Sequence, residues 1–421
     1  MTRQLTYKDA VNEAIRLEMR NDPSVILIGE DVAGGAGNDH IPGALDAWGG
    51  PFGVTKDLVT EFGRERVIDS LLAETGFIGA CIGATFAGMR PIAEIMYSDF
   101  IGTSFDQILN HAAKLRFTYG GKVSIPMVVR TVTGAGFRAG SEHSQMLISI
   151  YSHIPGIKVI APSNAFDAKG LLISAIRDQN PVIFMEHKRL YMKQSNVPEG
   201  SYTIPIGVGD IKRKGKDITI VGVQKMVLTA LDAADELAKQ GIDAEVIDPR
   251  TYSPIDIDLI CESVAKTGHL LVVDESHPRC SIATDIAGMV ADRAFSSLKG
   301  PIKTLTGLHT PVPFSPPLED HYLPSVDNVI EYAVSLVAKT RPGRAGASPE
   351  ADKYLSWGAG PRASQFLVLG AKCHAAIHQK FSPDIEDIKA VATAVLRHRI
   401  VRNYKAEAEG ISVEAIIEKL L

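Results

Sequence analysis

The sequence predicts an α/β protein with two three-layer, parallel-sheet domains followed by a small all-α domain. Short apolar runs alternate with helical stretches through residue 196, and the alternation resumes at residue 207. Such alternation is typical of parallel sheets whose crossovers are helices. Beyond residue 354 only helical spacing remains. We therefore expect domains at 1–196, 207–337 and 354–421, joined by linkers at 197–206 and 338–353.

The composition is that of a globular protein and argues against several other classes. The chain has 421 residues, 45% hydrophobic and 22% charged, and its net charge of −5 argues against a nucleic-acid binder. Its four cysteines form no C-x-x-C pair, so neither a disulfide framework nor a zinc site is expected. No apolar run is long enough to span a membrane, and the N-terminus lacks a signal core or an Arg-rich presequence. We expect a cytoplasmic protein without a membrane partner.

The first domain begins with a predicted amphipathic helix over residues 6–19, where Val11, Ala14, Ile15 and Met19 recur at helical spacing. Strands are predicted at residues 24–29, 66–72, 91–96, 125–131, 158–160 and 181–186. Further helices are predicted at residues 75–89, 99–119 and 165–177, and a Gly-rich loop at 32–53.

The second domain repeats the pattern, and the third is helical. Strands are predicted at residues 217–223, 244–247 and 269–274, with helices at 226–240, 257–267 and 280–293. The prolines of residues 311–324 indicate an ordered loop. The last helices are predicted at residues 364–379, 384–399 and 412–421. From Lys339 onward the chain holds 13 basic and 9 acidic residues, a change of sign that supports a boundary there.

Glu74 is the first candidate for chemistry, because it stands where a strand meets a helix among apolar and small residues. A carboxyl group there loses hydration, which suits it to proton exchange near neutral pH. The alternative is an acid placed at a helix start by the helix dipole. The helix that follows is rich in glycine and alanine at spacings of three and four, which suits close contact with another helix or a ligand.

His143 and the pair Asp178 and Asn180 are the other candidates. His143 lies on a Gly-rich loop after a predicted strand, where functional groups are frequent, although a structural loop histidine fits equally well. Asp178 and Asn180 end a helix, and their oxygens suit either a hard cation or a helix cap.

Two phosphate-binding patterns are absent from the sequence. There is no G-x-x-x-x-G-K-[ST] P-loop and no G-D-G with a distal asparagine to hold a magnesium diphosphate. His374 and His378 are four residues apart but lack a nearby third ligand, so we expect a solvated helix face.

Long segments of residues 1–335 resemble one known family. They include GED at 29–31, ERVIDSLLAETGFIGACIGATFAGMRPIAEIMYSDF at 65–100, EHSQ at 142–145, AIRDQNPVIFMEHKRLY at 175–191 and HLLVVDE at 269–275. In order and spacing they are similar to the β subunit of the thiamine-diphosphate-dependent E1 component of 2-oxo acid dehydrogenase complexes, including acetoin dehydrogenase. The resemblance implies a pyrimidine-binding domain followed by a transketolase C-terminal-like domain.

The resemblance assigns catalytic roles to Glu74 and His143. Glu74 matches the glutamate that bonds N1′ of the aminopyrimidine, where proton sharing favours the tautomer that removes the thiazolium C2 proton. His143 matches the histidine that positions substrate and assists acyl transfer to lipoamide.

It also assigns binding residues around the cofactor. Phe100 matches the aromatic residue that packs on the pyrimidine, while Leu72 and Met96 resemble lining of the same pocket. Glu30 matches an acid in the polar channel between paired active sites. A structural potassium site is implied at Met127, Ala175, Ile176, Asp178 and Asn180.

The missing diphosphate motif fits a cofactor site divided between two chains. In this family an α subunit holds Mg²⁺ and the diphosphate, so the resemblance implies an α₂β₂ assembly that delivers acyl groups to the E2 acyltransferase. The sequence departs from the family in its long loop after Val32 and in Ser141 and Glu142 before the histidine.

The C-terminal segment resembles the lid of MoxR-type AAA+ ATPases, with Arg362 at the sensor-2 position. No ATPase core accompanies it, so we expect a helical docking module or a fusion remnant. Two other hypotheses follow: a self-sufficient transketolase-like enzyme, which needs a diphosphate motif the chain lacks, and a non-enzymatic scaffold that recruits an ATPase-related partner through the tail.

Overall fold

The computed structural model describes residues 2–35, 49–330, 355–357, 373–374, 377–378, 385–397 and 401–420. The strands up to residue 198 are β1 Thr2–Thr6, β2 Val25–Gly29, β3 Val67–Asp69, β4 Arg90–Ile95, β5 Val128–Thr133, β6 Lys158–Ile160, β7 Val182–His187 and β8 Gln194–Pro198. The α-helices there are α1 Tyr7–Asn21, α2 Leu58–Phe62, α3 Glu74–Phe86, α4 Leu115–Thr118, α5 Ile148–Ser152 and α6 Ala165–Arg177.

The second unit uses the same kinds of element. Its strands are β9 Asp210–Arg213, β10 Ile218–Gly222, β11 Ala244–Asp248, β12 Thr251–Ser253, β13 Leu270–Val273 and β14 Lys303–Leu305. Its helices are α7 Met226–Lys239, α8 Ile257–Thr267, α9 Ile282–Arg293 and α10 Pro316–Tyr322. The tail holds β15 Leu355–Trp357, β16 Val401–Arg402, α11 Ile385–Leu396, α12 Tyr404–Ala408 and α13 Val413–Leu420.

The first sheet has the strand order β12-β6-β7-β5-β4-β2-β3 and is parallel apart from the β12–β6 pair. Successive residues of its strands enter opposite cores: Ile92 and Val128 pack with α1 and α6, whereas Ala93 and Val129 pack with α3. Both faces of this sheet are therefore covered, as predicted.

Helix α1 illustrates how the local sequence fixes an element. The Thr6 hydroxyl accepts a 3.2 Å hydrogen bond from the Asp9 amide and caps the helix, a contact that contributes about 1 kcal/mol. The apolar stripe predicted from Val11 to Met19 is fully buried against α6.

The second sheet has the order β14-β13-β10-β11-β9, parallel except for the edge strand β9. It is joined to the first unit through β12, which pairs with β6 at the edge of the first sheet. Val221 and Tyr252 also share one apolar core with Met185 of the first sheet. The two units thus share a sheet edge and an apolar core, and the predicted domain boundaries stay predictions.

Two local predictions were wrong. Residues 99–119 do not form one helix but a 3-10 helix Ser98–Ser104, a π-helix Gln107–Ala112 and then α4. The hydroxyls of Thr103 and Ser104 donate to the carbonyls of Phe100 and Ile101, which stabilises the tighter turns. The second is the proline-rich loop, which contains α10 with proline at its start. The first two residues of the predicted linker 197–206 belong to β8, which pairs with β1, and the limits of the linker stay a prediction.

The described part of the tail is mainly helical, as predicted, with a short antiparallel ribbon of β15 and β16. Ala392, Ala406 and Ile417 are buried in a core of their own. His374 Nδ1 lies 2.7 Å from Asp387 Oδ1, a contact the sequence did not suggest. Residues 36–48, the predicted linker 338–353 and Arg362 lie outside the described residues. No helix among the described residues is long and apolar enough to cross a membrane.

Candidate active site

The candidate residues gather at the carboxyl edge of four neighbouring parallel strands, β3, β2, β4 and β5. Glu30 directly follows β2, Glu74 follows β3, Phe100 follows β4, and His143 lies on the loop after β5. The carboxyl edge of a parallel sheet is where ligands bind in open α/β folds. The sheet order therefore brings together residues that are up to about a hundred positions apart in the chain.

Glu30 is a buried acid at this edge with a raised pKa. It is 6% exposed, and its Oε1 has no hydrogen-bond partner. Burial raises the pKa of Glu30 to about 7, and the negative charges of Glu74 and Asp31 add to the shift. A carboxyl group with this pKa can both hold and release a proton at neutral pH.

Glu74 is the first residue of α3 and is half-buried. At the helix start the amide dipoles of α3 point their positive ends toward its carboxyl group. The next residue, Thr75, donates a 2.5 Å hydrogen bond to the carbonyl of Thr103, in the turn that carries Phe100. This contact ties the acid-bearing helix to the aromatic part of the site.

The small residues of α3 divide the helix into two faces. Phe77, Ile78 and Cys81 are buried in the core, whereas Gly76, Ala80, Gly83 and Ala87 are exposed. Leu72, one of the residues predicted to line the cofactor pocket, is 84% exposed just before this helix, and its neighbour Leu71 is 74% exposed. Met96, the other predicted lining residue, is half-buried at the end of β4.

His143 stands in an aromatic cluster. Its ring meets Tyr97 edge to face at 4.6 Å and Phe100 at 5.3 Å between centroids. Tyr97 also contacts Phe52 at 5.5 Å. Lys188 donates a hydrogen bond from Nζ to the backbone oxygen of His143. The structure thus unites Phe100 and His143, which the sequence had assigned to one site only through the family resemblance.

The loop that leads to His143 is held by two buried carboxylates of the second unit. Glu275 accepts a 2.7 Å hydrogen bond from the Ala135 amide, and Glu319 accepts hydrogen bonds from the Gly136 and Arg138 amides at 2.7 and 3.1 Å. Glu319 also pairs with the Arg138 guanidinium at 2.7 Å. These anchors fix the loop without using the side chain of His143.

The imidazole of His187 completes this attachment. Its Nε2 lies 2.9 Å from Glu275, and its Nδ1 accepts from the Arg189 amide, so Nε2 carries the proton. Burial lowers the pKa of His187 and keeps the ring neutral. Only glycine fits at position 134, since a Cβ there would lie 2.1 Å from His187 Nε2 on a backbone with φ of +93°.

A buried charge cluster lies beneath the site and was missed by the sequence analysis. Arg130 on β5 binds Glu186 at 2.7 Å and Glu94 at 2.5 Å, and all three residues are buried. Gly29 lies above Glu94, where a Cβ would come within 2.8 Å of the Glu94 carbonyl oxygen. The available signal was a charged residue inside each of three largely apolar strands, Glu94, Arg130 and Glu186.

The predicted potassium ligands lie around the carboxyl end of α6, but basic side chains already reach them. Arg90 donates to the backbone oxygens of Ile176 and Asp178, at 2.8 and 3.0 Å. Lys158 pairs with the Asp178 carboxylate, and Arg116 donates to the Asn180 side-chain oxygen at 3.1 Å.

The backbone oxygens of the other two potassium candidates also accept hydrogen bonds: Ala175 O from the Asp178 amide, and Met127 O from the Val182 amide. This donor-rich arrangement fits a bare cation poorly.

Glu142, which departs from the family pattern, lines a cleft of 470 Å³ beside the His143 loop. Ser141 and Gln145 line it from the same loop, and His277 and His309 line it from the second unit. The cleft therefore lies where the two units meet next to the candidate site.

Three family models match the chain. Residues 3–194 match the transketolase pyrimidine-binding domain, residues 207–329 the transketolase C-terminal domain, and residues 348–420 an AAA lid domain. A solved structure titled split gene transketolase, inactive beta4 tetramer, shares the fold with a TM-score of 0.62 at 21% identity, covering 79% of this chain and 99% of that one.

Curated relatives are considerably more similar. The β subunit of acetoin:2,6-dichlorophenolindophenol oxidoreductase of Bacillus subtilis is 54% identical over 339 residues, which is 80% of this chain and 99% of the relative. Its counterpart in Cupriavidus necator is 56% identical, covering 78% and 96%. The pyruvate dehydrogenase E1 component subunit beta of Rickettsia felis is 43% identical, covering 78% and 97%.

The two α/β units thus define a transketolase-type subunit. The chain belongs to the family of E1 β subunits of acetoin and 2-oxo acid dehydrogenases, and it is a subunit of a thiamine-diphosphate-dependent oxidoreductase. The relatives support the enzyme, not the scaffold that we considered as the alternative.

Proposed function

We propose that this chain, together with an α subunit, cleaves acetoin or decarboxylates a 2-oxo acid and passes the acyl group to lipoamide of an E2 acyltransferase. The observation that carries the proposal is that Glu74, at the start of α3, lies close enough to the buried Glu30 for its charge to raise the pKa of Glu30. Acetoin is the favoured substrate, because the relatives named for it share 54% and 56% identity, against 43% for the pyruvate relative.

The residues at this edge fit the pyrimidine half of thiamine diphosphate. Glu74 supplies a carboxylate for the ring nitrogen N1′, and Phe100 supplies an aromatic face for the ring. Glu30 offers a buried oxygen that lacks a partner within the chain. We assign Leu72 and Met96 to the lining of the same pocket, with the exposed Leu72 covered by a neighbouring subunit.

Thiamine diphosphate, when bound, supplies the nucleophilic carbon needed to break a bond next to a carbonyl group. This chain contributes proton handling and positioning. Glu74 holds a proton at the pyrimidine nitrogen, and Glu30, with its pKa of about 7, takes up and releases a proton beside it. His143 orients the substrate and the incoming lipoamide, with its ring fixed by Tyr97 and Phe100.

We propose that the α subunit holds Mg²⁺ and the diphosphate, since this sequence carries no G-D-G motif. The exposed small residues of α3, together with Leu71 and Leu72, form an apolar surface suited to a subunit contact in an α₂β₂ heterotetramer. A potassium ion at Met127, Ala175, Ile176, Asp178 and Asn180 stays a prediction, with Arg90, Lys158 and Arg116 already placed there.

The domain limits 1–196, 207–337 and 354–421, the cytoplasmic location and a docking role for the lid-like tail are also part of this proposal. The tail would join the dehydrogenase to a partner without itself hydrolysing ATP, because the sequence has no P-loop.

The proposal is tested by assaying the chain alone and co-expressed with its α subunit. Acetoin-dependent reduction of 2,6-dichlorophenolindophenol should require both chains, thiamine diphosphate and Mg²⁺. Activity of the isolated chain would instead support the self-sufficient transketolase-like enzyme. An assembled complex that acts on pyruvate but not on acetoin would correct the substrate and keep the reaction class.

A further inference from the structure

Lys188 is a buried lysine that the proposed chemistry does not use. It begins the 3-10 turn Lys188–Leu190 that follows β7, and it is 4% exposed. Because β7 pairs with β5, this turn lies beside the loop that β5 sends to His143. The position follows from sheet order, since 45 residues separate Lys188 from His143 in the chain.

The ammonium group of Lys188 makes two contacts at the site. It donates a hydrogen bond to the backbone oxygen of His143, and it lies 5.5 Å from the centre of the Tyr97 ring. The Tyr97 ring in turn packs edge to face against His143 at 4.6 Å. One cation therefore holds both the backbone of His143 and one of the aromatic walls that orient its imidazole.

This use of a buried lysine is costly, which argues for a role beyond packing. Among the described residues, no carboxylate lies within ion-pair distance of its Nζ. Three acids face it from farther away: Glu275 and Glu319 of the second unit, and Asp99 in the turn after β4. The neutral His187 is the adjoining residue on β7. A buried ammonium group without a direct ion pair is destabilising, and groups held at such a cost are concentrated at functional sites.

We propose that Lys188 is a positioning residue that sets the orientation of His143 for acyl transfer, through the His143 backbone oxygen and the Tyr97 ring. The inference rests on the proposed function, because it assumes that His143 handles the acyl acceptor. It predicts that loss of Lys188 damages transfer to lipoamide more than cofactor binding.

The proposal has a pH signature. Burial lowers the pKa of Lys188 to about 8, with the charges of Glu275, Asp99 and Glu319 opposing the shift. The protonated form that makes both contacts is present below that pH and is lost above it. Acyl transfer by the wild-type enzyme should therefore decline above about pH 8, and a residue that cannot titrate at position 188 should remove that decline.

The experiment compares Lys188→Met and Lys188→Gln in the complete enzyme with its α subunit, using acylation of an isolated lipoyl domain and reduction of the dye. Glutamine keeps a hydrogen-bond donor without charge, and methionine keeps only the volume. Lys193→Met, on an exposed residue five positions away, is the matched control.

We expect Lys188→Met to slow lipoyl acylation at least about tenfold at pH 7, as misplaced catalytic groups do, with thiamine diphosphate affinity unchanged. Lys188→Gln should recover part of the rate and show no decline between pH 7 and 9. Lys193→Met should behave as the wild type does.

The failures can be distinguished. Normal lipoyl acylation by Lys188→Met, with a deficit in His143→Ala, would overturn the positioning role and leave the proposed function intact. Normal acylation by His143→Ala would overturn the assignment of His143 itself. If Lys188→Met melts at a much lower temperature than the wild type, the pH profile of Lys188→Gln decides, and a retained decline near pH 8 rejects the proposal.

Discussion

Glu275 accepts a 2.7 Å hydrogen bond from the backbone amide of Ala135, across 140 residues of sequence. The carboxylate belongs to the second unit and the amide to the loop that ends at His143. The second unit therefore fixes the candidate active site, although the residues assigned to the chemistry all lie in the first.

Replacing Glu275 with glutamine should weaken this attachment. The glutamine side chain has one acceptor oxygen, so it cannot accept from both the Ala135 backbone amide and the His187 Nε2 proton, as the two carboxylate oxygens do. We therefore expect the free energy of unfolding to fall by about 2 kcal/mol. Denaturant unfolding measures the loss, and lipoyl acylation should fall with it. Asp320→Asn, which alters the exposed partner of Arg138, should leave both quantities unchanged.

Arg130→Met should be strongly destabilising. It leaves the buried carboxylates of Glu94 and Glu186 without the guanidinium that neutralises them. We therefore expect the free energy of unfolding to fall by about 3–5 kcal/mol. Arg293→Met is the control, because its ion pair with Asp258 is largely exposed and should contribute about 1 kcal/mol or less. Equal effects of the two substitutions would show that the buried cluster is not the main electrostatic element of the sheet.

Glu30→Gln should change how stability depends on pH. The pKa of Glu30 is raised from 4.5 to about 7, so the unfolded chain releases this proton first. Between these two pH values the native protein binds more protons than the unfolded chain. The contribution of Glu30 therefore lowers the free energy of unfolding progressively as the pH rises to about 7. The variant should gain stability relative to the wild type across that range and keep a constant advantage above it. A difference between the two proteins that stays constant with pH would contradict the shift.

His143→Ala should impair lipoyl acylation at least about tenfold while thiamine diphosphate affinity stays unchanged, since the imidazole is assigned to the acceptor side of the reaction. Isothermal titration with the cofactor and a single-turnover acylation assay separate the two effects. His153→Ala, on a histidine of the first unit that is not assigned to the site, serves as the control. Equal loss of binding and acylation would place His143 in cofactor binding instead.

Elements with complete local signals were predicted with their observed bounds. Helix α8 covers residues 257–267 as expected, because the Asp256 side chain caps its start and Gly268 ends it in a left-handed conformation. Helix α6 likewise begins after Asn164, whose side chain accepts from the Asp167 amide. Such caps act within four residues and can be seen in the sequence.

Elements that depend on distant partners were not predicted. Strand β12 has three residues and forms only because β6 offers an edge some ninety positions earlier in the chain. The residues of the candidate site fall into the same two groups, those with a local sequence signal and those that depend on distant partners. Glu74 and His143 carry local motifs, whereas Lys188, Tyr97 and Glu275 join them through sheet order and through contacts between the two units.

Exchange of the C2 proton of thiamine diphosphate in the assembled enzyme tests the assignment of Glu74 most directly. Hydrogen–deuterium exchange, quenched with acid and read by NMR, should be at least about a hundredfold slower in Glu74→Gln than in the wild type, the scale expected for losing a proton-transfer group. Glu65→Gln, on an exposed acid nearby, should exchange at the wild-type rate. Wild-type exchange in Glu74→Gln would contradict the proposal that this carboxylate acts on the cofactor ring.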